Sequence, residues 1–191
     1  ALDGLRVDWR VGRVQPVVRR SSLLRDCHDR FAAMDDARWR WPFYFTIDGE
    51  AGLDAGGLSR EVVRLAASEL TSLEFGLFRL ASTDALSYAF QSDRAVAAAL
   101  GGDGAGWLEF AGKLVAKALL DGTHLDFHLD RCLLKHVCGE PVALADLQFL
   151  DSALFASLTK VLDMDVTDLA LTFSVDVESF GAVETVDLVE N

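Results

Sequence analysis

Cysteine is scarce: Cys27, Cys132 and Cys138 are the only three in 191 residues. An odd number without paired spacing excludes a disulfide framework and reads as reduced thiols of a cytosolic or nuclear protein. Cys27 and Cys132 are both spaced four residues from apolar neighbours and read as buried, inert residues of helices. No run of about eighteen apolar residues occurs, so no segment reads as a membrane-spanning helix. No basic-then-apolar leader opens the chain, and a first residue of Ala implies that the natural start was lost or processed. Basic charge is also short. Eighteen Lys and Arg face thirty Asp and Glu, for a net charge of −12, which disfavours nucleic-acid binding. The deficit is uneven, with +1 over residues 1–60, −5 over 61–130 and −8 over 131–191. Acid concentrated in the last third favours a basic protein partner there, the alternative being a plain solvated surface. There is no internal repeat and no low-complexity tract. What remains, 51% hydrophobic and 25% charged residues, is enough for one sizeable globular domain or two small lobes.

The most ordered stretch runs from Phe43 to Phe78. Phe43, Phe45 and Ile47 alternate with Tyr44 and Thr46, the period of a half-buried strand. A loop follows with Gly49, Gly52, Gly56 and Gly57 set among Asp48, Glu50 and Asp54. It ends in Leu58-Ser59-Arg60 rather than the Lys-Ser or Lys-Thr of a phosphate cradle, and it lacks a Gly-x-Gly-x-x-Gly run. Counted from Asp48, its twelfth residue is Ser59 and not the Glu that closes a calcium loop. A tight loop with positive-φ glycines is the remaining reading. The next helix carries Leu58, Val62, Leu65 and Glu69 as a stripe.

Elsewhere, Val14, Val17 and Val18 suggest an edge strand. Ser21 or Ser22 caps a helix to about Met34 with Leu24, Cys27, His28 and Phe31 on one face. Leu77–Ala81 and Leu86–Gln91 form a hairpin, Asp93–Leu100 a short helix, and the glycine-rich segment 101–106 a separator. Trp107–Leu120 is a helix with Trp107, Phe110, Ala111, Leu114, Val115 and Ala118 on its apolar flank, closed by Gly122.

His124, His128, Cys132, His136 and Cys138 are all of zinc-ligand type. On one helix, however, His124 and His136 would stand about 120° and some 18 Å apart. They cannot share one ion, so no metal site is expected. The helix from Ser152 to about Met164 is more informative. Leu154, Phe155, Leu158, Val161, Leu162 and Met164 spread over an arc close to about 180°, where one buried flank needs roughly 100°. Such a helix packs inward through Phe155, Leu158 and Leu162 and offers Leu154, Val161 and Met164 outward. The alternative is a helix sandwiched between two others.

Five segments recur in a known order. They are Phe45–Gly57 with Leu58-Ser59-Arg60-Glu61 and Phe75-Gly76-Leu77-Phe78; Trp107–Leu114 with Lys117-Ala118-Leu119; Leu125-Asp126-Phe127-His128 with Leu133-Leu134 and Gly139; Ala145-Asp146-Leu147 with Leu150-Asp151; and Leu171-Thr172-Phe173. Together they resemble the N-terminal lobe of a HECT-type ubiquitin-protein ligase domain, over about Val17 to Asn191. The resemblance implies an α+β, mainly α fold with small β-hairpins. It would comprise a larger subdomain over residues 1–122 and a smaller one over 123–191 that docks a ubiquitin-conjugating enzyme.

Carried over position by position, the docking groove would be Leu154, Ser157, Leu158, Val161, Met164, Leu169 and Leu171. Asp163, Asp165 and Asp168 surround it with charge complementary to a basic helix of the enzyme. Phe75 is a further candidate for a ubiquitin contact, with core packing as its competing role. The family's reaction moves ubiquitin from the conjugating enzyme's thiol to a ligase cysteine and then to a substrate lysine. That cysteine sits in a Thr-Cys-aromatic context in a C-terminal lobe. Cys27, Cys132 and Cys138 have no such context, so no catalytic residue, metal or cofactor is expected, and this chain alone should be inactive. Protein substrates would be chosen through regions outside it. A scaffold or degenerate lobe that binds partners without transfer is the rival reading.

Overall fold

The computed structural model describes residues 3–52, 54–81, 86–167, 171–179 and 182–189. In chain order these form β1 (Val17–Val18), α1 (Leu23–Phe31), β2 (Thr46–Ile47), α2 (Gly57–Leu70), β3 (Phe78–Leu80), β4 (Ser87–Phe90) and α3 (Asp93–Leu100). Then come α4 (Gly104–Asp121), β5 (His128–Leu129), α5 (Arg131–Cys138), α6 (Leu147–Leu150), α7 (Ser152–Asp163), β6 (Ser174–Ser179) and β7 (Ala182–Asp187). The fold is α+β and mainly helical. It divides into two compact units, one of residues 1–77 with 102–127, the other of 78–101 with 128–191.

In the first unit, β1 and β2 run parallel, pairing Val17 with Thr46 and Val18 with Ile47. The same register extends to an isolated bridge between Val14 and Phe43. Amides of Tyr44, Thr46 and Asp48 donate to the carbonyls of Val14, Pro16 and Val18. Pro16 has no N–H to return, so the expected strand over Phe43–Ile47 is broken into a bridge and a two-residue ladder. The alternation holds nonetheless: Phe43, Phe45 and Ile47 are buried and Thr46 is exposed. The Phe43 ring stacks on Phe31 at 4.9 Å between centroids and meets Trp39, and the Phe45 ring meets Phe31 edge to face.

Helix α1 buries Leu24, Cys27, His28 and Phe31, the expected face, together with Leu23. It stops at Phe31, short of Met34. Ser22 stands at its N-cap without a side-chain hydrogen bond. Instead Glu69, from α2, accepts from the Leu24 amide at 3.1 Å and supplies one of the partners that a helix N-terminus lacks. The α2 stripe differs from the expected one. Val62, Val63, Ala66, Ala67 and Leu70 are buried, whereas Leu65 is 41% exposed. Two small alanines let α1 approach closely, and Glu69 has the capping role just described. Helix α4 buries Trp107, Phe110, Ala111, Leu114 and Ala118 as expected, plus Lys117, while Val115 is only half-buried; it starts at Gly104, inside the stretch 101–106 expected to be a separator. Gly122, at φ 64°, closes it, with the Thr123 amide donating to the Ala118 carbonyl.

In the second unit, β3 and β4 are antiparallel, as the hairpin reading requires, with Phe78 opposite Phe90. Residues 82–85 between them lie outside the described residues. β5 joins β4 in parallel, pairing Ser87 with His128 and Tyr88 with Leu129. Helix α3 occupies its expected span, capped by Ser92, whose hydroxyl accepts from the Ala95 amide. The last hairpin, β6–β7, pairs Ser174 with Asp187 through Ser179 with Ala182. The expected strand at Leu171-Thr172-Phe173 therefore begins later, at Ser174.

Candidate docking site

Helix α7 rests on a short polar anchor. The Asp130 carboxylate accepts from the amides of Cys132 and Leu133 and caps α5. Buried Asp146 accepts from the Ala143 amide at 2.9 Å and pairs with Lys135 at 2.7 Å and Arg131 at 3.2 Å. The Lys135 hydrogen bond, with the Ala143 amide, holds the Asp146 carboxyl below its ordinary pKa. These bonds fix α5 to the turn that leads into α6, and the Arg131 guanidinium lies 4.8 Å over the Phe149 ring. Asp151 adopts an extended conformation that ends α6, and its carboxylate accepts from the Leu154 amide at 2.9 Å to begin α7.

No residue of α7 is buried, so the sandwiched alternative does not hold. Phe155, Thr159 and Val161 are half-buried, while Leu154 is 43%, Leu158 39% and Leu162 72% exposed. The expectation that Leu158 and Leu162 pack inward and Val161 outward is thus corrected: of the three expected to face inward only Phe155 is half-buried, and Val161 is half-buried instead. Helix α6, which α7 packs on, is a single turn of about 6 Å and cannot cover the far end of a helix about 18 Å long. Leu154, Leu158 and Val161 still share one strip by their spacing. Ser157 is exposed, and its hydroxyl is engaged with its own helix, donating to the Ala153 carbonyl at 3.0 Å. Met164 is the first residue beyond the helix, extended and half exposed. Leu171 lies seven residues further on and is exposed. Leu169 and Asp168 fall outside the described residues.

The end of α7 is acidic. Asp163 is its last residue, and the Asp165 carboxylate accepts from the Thr167 hydroxyl at 2.6 Å and amide at 3.0 Å. Those two bonds hold Asp165 below its ordinary pKa. Carboxylates at a helix C-terminus oppose the macrodipole and add to its negative potential.

Phe75 is half-buried and meets Trp107 edge to face at 4.8 Å between centroids. The acidic glycine loop is tied together by one of its own carboxylates, Asp54. Asp54 accepts from the amides of Phe45 at 2.9 Å and Gly56 at 2.7 Å, and meets the Ser59 hydroxyl, which also lies 2.6 Å from the Phe43 carbonyl. Asp-x-Gly, with the carboxylate two residues before the amide it binds, is the sequence signal for such a turn. Gly49 and Gly56 take positive φ there.

The single helix assumed for His124 to Cys138 is not present. His124 is in the loop after α4, His128 in β5, and the helix starts only at Arg131. Among the described residues no three His, Cys, Asp or Glu side chains are grouped to hold a metal ion. Burial pushes the Cys27 thiol up to about 12. It also raises that of Cys132, with Asp130 and Asp146 contributing. Neither is a thiolate at neutral pH.

A family model described as HECT-domain (ubiquitin-transferase) matches residues 64–191. The chain is 33% identical over 147 residues to Probable E3 ubiquitin-protein ligase TOM1 of Eremothecium gossypii, an alignment covering 76% of this chain and 4% of that protein. It is 30% identical over 176 residues to E3 ubiquitin-protein ligase HUWE1 of Mus musculus, covering 91% and 4% respectively. With E3 ubiquitin-protein ligase NEDD4 of Homo sapiens the identity is 30% over 165 residues, covering 86% and 12%. The chain thus spans about 4% of the length of the first two relatives. The model match covers well over half of the chain, on a mainly helical α+β fold with short strands: the chain belongs to the HECT-domain family of ubiquitin transferases.

Proposed function

We propose that this chain docks a ubiquitin-charged conjugating enzyme within a HECT ubiquitin ligase, through α7 and the segment that follows it. The observation that carries the proposal is the apolar surface left open on α7, where Leu154 and Leu158 share one exposed strip. An aromatic or aliphatic side chain of the enzyme would seat against Leu154, Leu158, Val161 and Met164, with Ser157, Leu169 and Leu171 at its margin. Residues 123–191 would form the docking subdomain, and the exposed part of Phe75 would meet ubiquitin.

The reaction served is a thioester exchange. A ligase thiolate attacks the carbonyl of the ubiquitin thioester and expels the conjugating enzyme's thiolate. A substrate lysine amine then attacks the new thioester and releases the ligase thiol. The attacking cysteine would belong to the ligase beyond these residues, as would the choice of protein substrate.

Two variants test the site. Leu158→Ala should weaken binding of the conjugating enzyme by about ten-fold, or roughly 1–2 kcal/mol, measured by calorimetry. Asp163→Asn should leave the contact surface in place but flatten the dependence of the association rate on ionic strength. An unchanged salt slope would remove the electrostatic half of the proposal.

A further inference from the structure

His28 is a buried histidine that the docking role does not use. Its side chain is 10% exposed on α1, and its ring stacks on the indole of Trp107 at 3.8 Å and an interplanar angle of 18°. Phe110 closes another side, edge-on at 5.4 Å. Both ring nitrogens face carboxylates: Nδ1 lies 3.5 Å from Asp29 Oδ1, and Nε2 lies 3.9 Å from Asp103 Oδ2. Nε2 is buried without a hydrogen-bond partner. Asp103, although it stands at the N-cap of α4, makes no side-chain cap hydrogen bond. It sits among Gly101, Gly102, Gly104 and Gly106, and Gly101 and Gly102 take positive φ. Of the other elements packed on α1, α2 carries Glu69, which is engaged with the Leu24 amide, and the turn 20–22 carries Arg20, which is paired with Glu50 and Glu61.

We propose that His28 and Asp103 form a proton-operated latch between α1 and the first turn of α4. With a neutral imidazole, Nε2 and the Asp103 carboxylate face each other across a gap too long for a hydrogen bond. One proton on the ring turns both nitrogens into donors and gives the ring a positive charge. Nε2–H then reaches Asp103 through a small movement of a glycine-flanked carboxylate, Nδ1–H is directed at Asp29, and the Trp107 π face supports the cation. No bond is made or broken apart from the proton taken from water. The segment tightened is 101–107, where the chain returns from the second unit to the first. Protonation of the ring would therefore order this segment.

Tryptophan emission reads the latch, because an imidazolium stacked on an indole quenches it. On lowering the pH from 8 to 5.5, the native chain should lose the Trp107 component of its emission, and amide exchange over residues 101–107 should slow several-fold. Trp107→Phe should remove the pH-dependent component and so assign it. His28→Gln should abolish both changes. Asp103→Asn, at a side chain 62% exposed and so expected to leave the fold intact, removes the carboxylate acceptor and should abolish the slowing of exchange over residues 101–107. A native chain whose emission and exchange do not change over this range would overturn the latch. So would a quench that survives in His28→Gln, or exchange that still slows on acidification in Asp103→Asn.

Discussion

Replacing Asp54 by Ala is expected to lower the unfolding free energy of the first unit by roughly 2–4 kcal/mol. The reason is the accounting of hydrogen bonds to an ionised acceptor, each worth about 1.5–3 kcal/mol, with the donors left unpaired once the acceptor is gone. The Phe45 and Gly56 amides and the Ser59 hydroxyl all depend on this carboxylate. It thereby joins the strand end to the first turn of α2. Urea unfolding followed by tryptophan emission is a suitable measurement, because Trp9, Trp39, Trp41 and Trp107 all lie in that unit. Burial opposes the Asp54 charge, but hydrogen bonds from Ser59, Gly56 and Phe45 outweigh it and hold the carboxyl below its ordinary 3.8. A carboxyl held low in the fold binds its proton more readily in the unfolded chain. Its contribution is therefore complete above the unfolded value and is lost as pH falls through the folded one. Asp54→Asn should remove that part of the acid sensitivity. An Asn variant with native stability and a native acid profile would show that the loop is held in some other way.

The second large effect is expected at Lys117. Its Nζ donates to the Trp41 carbonyl at 2.6 Å, pairs with Asp121 at 3.0 Å and lies 4.2 Å over the Phe43 ring, with the side chain only 1% exposed. Lys117→Ala leaves a cavity beside Phe43 and an unpaired carbonyl, at a cost of about 3 kcal/mol. Lys117→Met keeps the stem, and its cost should fall to about 1–2 kcal/mol, so the difference measures packing. Burial lowers the Lys117 pKa from 10.5, against the opposing pull of Asp121. The unfolded chain therefore holds this proton to higher pH than the folded one. Native stability should gain from this group as pH rises from the depressed value towards 10.5, and the Met variant should lose that gain. Equal costs for Ala and Met would place the whole effect in the polar contacts.

Much of the fold was legible because local patterns agreed with it. The faces of α1 and α4, the Gly122 stop, the β3–β4 hairpin and the span of α3 follow from periodicity and capping residues. What could not be read depends on distant partners. Lys117 lies on an otherwise apolar face, and its partner, the Trp41 carbonyl, is 76 residues away. The break in the His124–Cys138 stretch is set by β5, whose pairing with Ser87 and Tyr88 no local pattern announces. Helix α2 has apolar residues on more than one side, so Leu65 and Val63 compete as core until α1 selects the side with the alanines. In α7 the width of the apolar arc was readable. Which edge faces inward was not, because it depends on how short α6 is.

The most direct test of the docking account is an NMR titration of this chain with ubiquitin-conjugating enzymes, native and with Leu158→Ala or Val161→Ala. The account predicts saturable shifts in the amides of residues 154–164, with affinity reduced in both variants while the remaining spectrum stays native. Saturable shifts that spare α7, or equal affinity for the native chain and both variants, would contradict it.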